Sequence, residues 1–376
     1  MKVLHVYKTY YPDPIGGLQE AIRQICLSTK NLGAEVRIFT LSPNPSPEKV
    51  NIDDIEIFRY KSWLAPGNND MGLLKSYQAF KKHVEWADIV HYHFPWPFAD
   101  LLHILVNNKK PSIMTYHSDV IDKGFLEVIY NPLMKKMLSS MKAVVATSPK
   151  YTESSNVLKS YVDPDALEVI SYGLDEESYL PYIEESKGID IKDRFGLEKD
   201  SYFLFIGVLR KYKGLDYLID ASSDTDSEIV IAGSGPLQQY YEERSIDKKN
   251  ISLVGQISNA EKMALIKNCK GLILPSHMRS EAFGIVLIEA SMQNKPLISC
   301  EIGTGTSYGN KNGVTGLVVE SENPKELSDA MNSLSNDKDL SKKMGNNARE
   351  RYETLFQPKQ VGEKYFSLYK RFLESD

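Results

Sequence analysis

The sequence predicts an α/β chain of two doubly wound domains, each a mostly parallel sheet with helices on both faces. Three observations predict it. Short apolar runs bounded by Gly, Pro, Asn or Asp alternate with stretches of helical apolar spacing. The alternation breaks around residues 172–200, where YGLDEESYLPYIEESKGIDIKD is polar, and then restarts. The length of 376 residues also suits two domains, at roughly 100–200 residues each.

The elements follow in order. KVLHVY, EVRIFTL, EIFRY, DIVHYH, PSIMTYH and AVVAT read as strands of the first block. GLQEAIRQICLSTKNLG and LEVIYNPLMKKMLSSM have helical spacing. In the second block YFLFIG, EIVIAG, ISLVG, GLILP and PLISC are strands, with helical candidates between them. Strand–helix alternation of this kind implies parallel pairing through helical crossovers. The expected division is 1–172 and 173–356.

Composition narrows the function. A chain 42% hydrophobic and 25% charged is ordinary for a globular protein, and no apolar run reaches the ~18–20 residues that span a bilayer. MKVLHVY reads as a first buried strand rather than a signal peptide. The three cysteines, Cys26, Cys269 and Cys300, form neither a disulfide framework nor a zinc spacing, so a cytoplasmic location is expected. A net charge of −5 argues against nucleic-acid binding. Residues 1–172 hold 19 Lys and Arg against 18 Asp and Glu, the remainder 26 against 32, so the first half is the one expected to approach an anionic surface.

In doubly wound sheets ligands bind beyond the carboxyl ends of the strands, and candidate residues fall there. Gly16 and Gly17 precede a helical pattern, as a flexible turn or as backbone approaching an anion. His117 ends a strand, as a functional or a satisfied structural residue. His91 and His93 lack a third ligand at metal-binding spacing, and their Pro–Trp–Pro context reads as a shaped binding loop. Arg210, Lys211 and Lys213 cluster just before a helix, where cations oppose the helix dipole unless an anion sits among them. Gly233 and Gly235 in IAGSGPL fall short of the dinucleotide fingerprint.

SHMRSEAFGIVLIEA places Glu281 in a loop and Glu289 inside an apolar helix. A buried unpaired carboxylate is costly. The expected partner is a ligand, with sugar hydroxyls on the carboxylates and phosphate oxygens on the backbone N–H groups of Phe283, Gly284 and Ile285. No Asp-x-Asp metal motif or Walker pattern occurs in a suitable loop. A diphosphate would therefore be neutralised by Arg210, Lys213 and helix N-termini, with no metal.

The GG of IGGLQE, His117 in TYHSD, VLRKYKG, AGSGPL, SEAFGIVLIEA and EIGTGTSYGNKNGVTGLVV, in this order, resemble glycosyltransferase family 4, of GT-B fold with two Rossmann-like domains facing an interdomain cleft. The resemblance spans nearly the whole chain. It implies a retaining, metal-independent transferase whose first domain binds acceptor and whose second binds nucleotide sugar. The helical stretch 357–376 would pack back on the first domain. In that reading Glu289 holds the ribose, Glu281 contacts the donor sugar, and Phe283, Gly284 and Ile285 lie near sugar and phosphate. Arg210 and Lys213 stabilise the departing diphosphate, His117 touches the transferred sugar, Gly16 and Gly17 approach the phosphates, and the backbone near Ile257 reads the base. Two positions depart from the family pattern: Val208 follows Gly207 where arginine is usual, and Tyr172 in SYGLD stands where asparagine is common.

HYHFPWPFAD, TYHSD and EIGTGTSYGN resemble the mannosyl- and rhamnosyltransferase-like members that build bacterial surface polysaccharides. That implies GDP-mannose as donor and a glycan on a polyprenyl diphosphate carrier as acceptor, at the inner face of the membrane. The stretch 129–142 could lie against that surface or be an ordinary packed helix. A UDP-sugar-dependent transferase, a sugar-nucleotide epimerase of the same architecture and a non-catalytic nucleotide-sugar-binding subunit are the alternatives.

Overall fold

The computed structural model describes residues 1–13, 16–64, 70–120 and 125–374. Pro14 and Ile15, just before the paired glycines, lie outside them. The chain divides into two compact units, Met1–Gly173 with Pro358–Asp376, and Leu174–Gln357.

The first unit holds β1 (Lys2–Val6), β2 (Glu35–Ser42), β3 (Lys49–Ile52), β4 (Ile55–Lys61), β5 (Ile89–Phe94), β6 (Ser112–Tyr116), β7 (Ala143–Ala146) and β8 (Leu167–Val169). Their order is β3-β4-β2-β1-β5-β6-β7-β8, and all pairs are parallel except β3–β4. That exception is a hairpin whose turn, Asp53–Asp54, has φ of 56° and 54° at both central residues, as a tight hairpin turn requires. The sequence reading missed β3 because KVNI is a half-polar edge strand without an apolar run.

The second unit holds β9 (Tyr202–Ile206), β10 (Glu228–Ala232), β11 (Ile251–Gly255), β12 (Gly271–Leu274), β13 (Leu297–Glu301) and β14 (Gly316–Glu320). The order is β11-β10-β9-β12-β13-β14, parallel throughout. Chain order reverses between β1 and β5 in the first sheet and between β9 and β12 in the second. A crevice opens at the carboxyl edge of such a switch point, where the flanking crossovers leave in opposite directions.

The helix Pro358–Leu373 belongs to the first unit. Val361, Tyr365, Leu368 and Tyr369 recur at helical spacing and join the core with Ile22, Ile25 and Cys26 of the helix Gly17–Asn31. The two helices meet closely: a Cβ on Gly362 would lie 2.7 Å from Ser28 Cβ. In the stretch offered for a membrane surface, Met134, Met137, Leu138 and Met141 are buried, so these four side chains face protein. Among the described residues no helix is long and apolar enough to cross a membrane.

Candidate active site

The second sheet gathers its candidate residues at one edge. Arg210 and Lys213 follow β9, Gly233 and Gly235 follow β10, Ile257 follows β11, and Glu281 follows β12. Backbone bonds stitch these turns together: Gly207 N–H donates to Ala232 O (3.0 Å), Gly233 N–H to Gly255 O (2.7 Å) and Leu209 N–H to Ser234 O (3.0 Å). The glycines are required by this packing. Gly233 has φ 129°, and a Cβ there would sit 2.0 Å from Gly207 O; one on Gly235 would sit 2.6 Å from Leu209 N. Ile257 is half-buried at the same edge.

At the switch point, Lys213 Nζ donates to Glu281 Oε2, which also accepts from Ser276 Oγ at 2.9 Å. Both charged side chains are 11% exposed. Burial works against charge on Lys213, but Glu281 and the Tyr212 hydroxyl outweigh it and raise its pKa above the ordinary lysine value. Deeper in, Glu289 lies in the helix Ile285–Met292. Its Oε1 accepts from Lys262 Nζ at 2.5 Å and Tyr179 Oη at 3.1 Å. Lys262 also lies 5.6 Å over the Tyr179 ring.

The expectation that the two glutamates wait for a ligand is therefore corrected. Each has a lysine and a hydroxyl from the protein, because a carboxylate so buried needs compensation in the free chain as well. The partners were hidden by sequence separation: 68 residues for Lys213–Glu281, and 27 and 110 for Lys262 and Tyr179 to Glu289. In both cases the donors converge on one oxygen. Glu281 Oε1 and Glu289 Oε2 accept from no described residue, which leaves each carboxylate one face for a hydroxyl.

Gly284, with φ 84°, starts the helix Ile285–Met292, and a Cβ there would strike Leu274 at 2.3 Å. Phe283 is 1% exposed, its ring packed edge-on to Phe356 and Tyr308, so only the backbone of Phe283, Gly284 and Ile285 offers donors. Arg210 is exposed and makes no ion pair among the described residues. In the first unit Gly16 is the extended N-cap of the helix Gly17–Asn31 and supplies no side-chain cap.

His117, expected to touch a sugar, is instead fully buried with both ring nitrogens bonded: Nδ1 to Tyr172 Oη (2.5 Å) and Nε2 to His93 Nδ1 (2.9 Å). His93 Nε2 meets His5 Nδ1 at 3.0 Å. His5 was missed, although a histidine inside the buried run KVLHV was itself a signal. Strand alternation puts His5, His91 and His93 on one face across the β1–β5 switch point, with His5 opposite His91. Their ring nitrogens lie within 4.8 Å of one another, a spacing that suits a metal. Yet five of the six nitrogens already bond protein, His91 to Tyr369 Oη and Thr115 Oγ1. The Pro–Trp–Pro loop is also structural: Trp96 is buried and its Nε1 donates to Asp70 O.

Two doubly wound, mostly parallel sheets in one chain are the architecture of the GT-B fold. Solved structures agree in fold: sucrose-phosphate synthase from Thermosynechococcus elongatus superposes with a TM-score of 0.81 over 100% of both chains at 18% identity. WaaG, a glycosyltransferase of lipopolysaccharide biosynthesis, superposes at 0.71 over 98% of this chain and 99% of its own, also at 18%. Residues 15–178 match the model for Glycosyltransferase Family 4 and residues 189–351 that for Glycosyl transferases group 1. The D-rhamnosyltransferase WbpZ of Pseudomonas aeruginosa is 40% identical over 95% of this chain and 92% of its own. The O-antigen chain mannosyltransferase C of Escherichia coli is 37% identical over 100% of both. The chain belongs to glycosyltransferase family 4 and is a glycosyltransferase.

Proposed function

We propose that this chain is a retaining, metal-independent hexosyltransferase of O-antigen biosynthesis. It moves α-mannose from GDP-mannose to a glycan carried on polyprenyl diphosphate, working in the cytoplasm as a peripheral protein of the inner membrane face. The observation that carries this is the Lys213–Glu281 pair at the second switch point, each partner suited to one half of a nucleotide sugar. The relatives named for O-antigen mannosyl and D-rhamnosyl transfer support the sugar class.

In this reading the second unit takes the donor and the first the acceptor. Glu289 Oε2 accepts from the ribose and Glu281 Oε1 from a sugar hydroxyl. Lys213 and Arg210 face the diphosphate, with the backbone N–H groups at Gly284 and Ile285. Fixed cations and N–H dipoles of this kind stabilise the charge that develops on a leaving diphosphate, so no metal is needed. Gly16 and Gly17 bring the N-terminus of their helix to the phosphates. Ile257 reads the base.

The test is a thermal shift with GDP, UDP, ADP and dTDP in parallel, EDTA present. Binding to the folded state alone stabilises by about 2.7 kcal/mol at a hundredfold excess over Kd. GDP alone should shift the melt. A preference for UDP replaces the donor, dependence on added magnesium overturns the metal-free reading, and no response to any nucleotide overturns the function.

A further inference from the structure

Two helices remote in sequence from Glu289 meet its side chain. The helix Glu176–Ser186 brings Tyr179, and the helix Asn259–Asn268 brings Lys262. Lys262 Nζ donates to Glu289 Oε1 at 2.5 Å, and Tyr179 Oη donates to the same oxygen at 3.1 Å. The ammonium lies 5.6 Å over the Tyr179 ring, so the two donors also brace each other.

Both helices are themselves anchored. Glu261, next to Lys262, closes a capping box with Ser258: its Oε2 accepts from Ser258 N–H at 2.8 Å, and Ser258 Oγ accepts from Glu261 N–H at 3.1 Å. That fixes the first turn of the lysine's helix. Arg349 ties the tyrosine's helix to the helix of Glu289. Its guanidinium makes two 2.8 Å bonds to the Glu176 carboxylate and donates to Met292 O, also at 2.8 Å. Glu176 and Tyr179 are three residues apart, as are Glu289 and Met292, so each pair shares one helix face. The two helices are thus joined at two points one turn apart.

Compensating a buried carboxylate requires only that donors reach it, on either oxygen. Here both donors take Oε1. Oε2 accepts from no described residue, yet it is not one of the buried polar atoms without a partner, so solvent reaches it. The last torsion of an unheld glutamate is broad. Pinning Oε1 from two sides fixes where Oε2 points, and an acceptor fixed before binding costs less ordering when a ligand arrives.

We propose that Lys262 and Tyr179 are positioning residues that aim Glu289 Oε2, so that the second unit selects a nucleotide by its ribose hydroxyls. Both act through the carboxylate rather than on the ligand. This rests on the reading that Glu289 takes the ribose of a nucleotide donor, but not on which base that donor carries.

The experiment measures by calorimetry, on the full-length protein, the Kd of GDP and of UDP, each beside its 2′,3′-dideoxy form. Wild-type protein should favour the ribo form about tenfold or more, as expected of a hydrogen bond to a charged group. Lys262→Met and Tyr179→Phe, in protein with wild-type circular dichroism, should each lower that ratio about threefold or more, with the dideoxy form bound within about twofold of wild type. Tyr179→Phe keeps the ring under Lys262 and removes only the hydroxyl, so it carries the test if Lys262→Met, which strands a buried charge, unfolds the unit. An unchanged ratio overturns the inference. So does equal weakening of the ribo and dideoxy forms, which would put Lys262 on the ligand or give it a purely structural part. A wild-type ratio near one overturns the ribose reading and the inference with it, whereas a preference for UDP overturns only the guanine donor.

Discussion

Acidification from pH 7 to pH 5 should destabilise the first unit selectively. Six of the seven histidines lie in it, at positions 5, 83, 91, 93, 103 and 117, and all six are buried. Burial lowers the pKa of His5 and His117 to about 3, and that of His103 to about 4; His83 falls to about 4 through burial and the Arg37 charge. Each folded value lies below the unfolded 6.5. The unfolded chain therefore binds the proton first, and stability is complete above pH 6.5 and lost as pH falls toward 4 and 3. At pH 5 each of these four costs about 2 kcal/mol at 1.36 kcal/mol per pKa unit, about 8 kcal/mol together. Asp100 acts in the opposite sense. Burial pushes its carboxyl up to about 7 against the Tyr130 hydroxyl bond, so acid relieves about 2 kcal/mol. The balance, about 6 kcal/mol, is comparable with the 5–15 kcal/mol of a whole domain. All three tryptophans, Trp63, Trp86 and Trp96, lie in the first unit, so their fluorescence reports its unfolding alone. At a slope of about 2 kcal/mol per M, the urea midpoint should drop by about 3 M between pH 7 and pH 5. An unchanged midpoint, or histidine ring protons titrating near 6.5, would refute the buried neutral chain.

Two further predictions concern the second unit. Lys213→Met and Glu281→Gln should each cut turnover at least a hundredfold and, by stranding the other group, cost about 3–5 kcal/mol. The double variant should be less destabilised than the two singles combined, and single variants of native stability and rate would remove the pair from the site. Gly233→Ala forces a Cβ onto Gly207 O at 2.0 Å and should destabilise by about 2–4 kcal/mol. Gly255→Ala, with φ 71° but open space around it, should cost only about 1 kcal/mol. Equal losses in melts followed by circular dichroism would show that the turns after β9 and β10 are not tightly packed against each other.

Much of the fold was legible because buried parallel strands are continuous apolar runs whatever they pack against. KVLHV, IVHYHF and GLIL carry that signature in a few residues, and the helix Pro358–Leu373 shows its apolar spacing without reference to the helix it meets. Strands β3 and β8 were not legible, because short half-exposed edge strands bury no run. At the site, the two glutamates stood out as charges in apolar surroundings, but Lys262 and Tyr179 did not, since neither breaks a local pattern.

The sequence by itself determined the elements, their division into two doubly wound blocks and the loops that carry glutamates, lysines and glycines. These depend on the periodicity and composition of neighbouring residues. Tertiary structure alone decided that Lys213 meets Glu281, that one oxygen of each glutamate is held while the other is left open, and that His5, His93 and His117 stand in line. Those contacts join residues far apart in the chain, and strand order and register bring them together. No local spacing records either one.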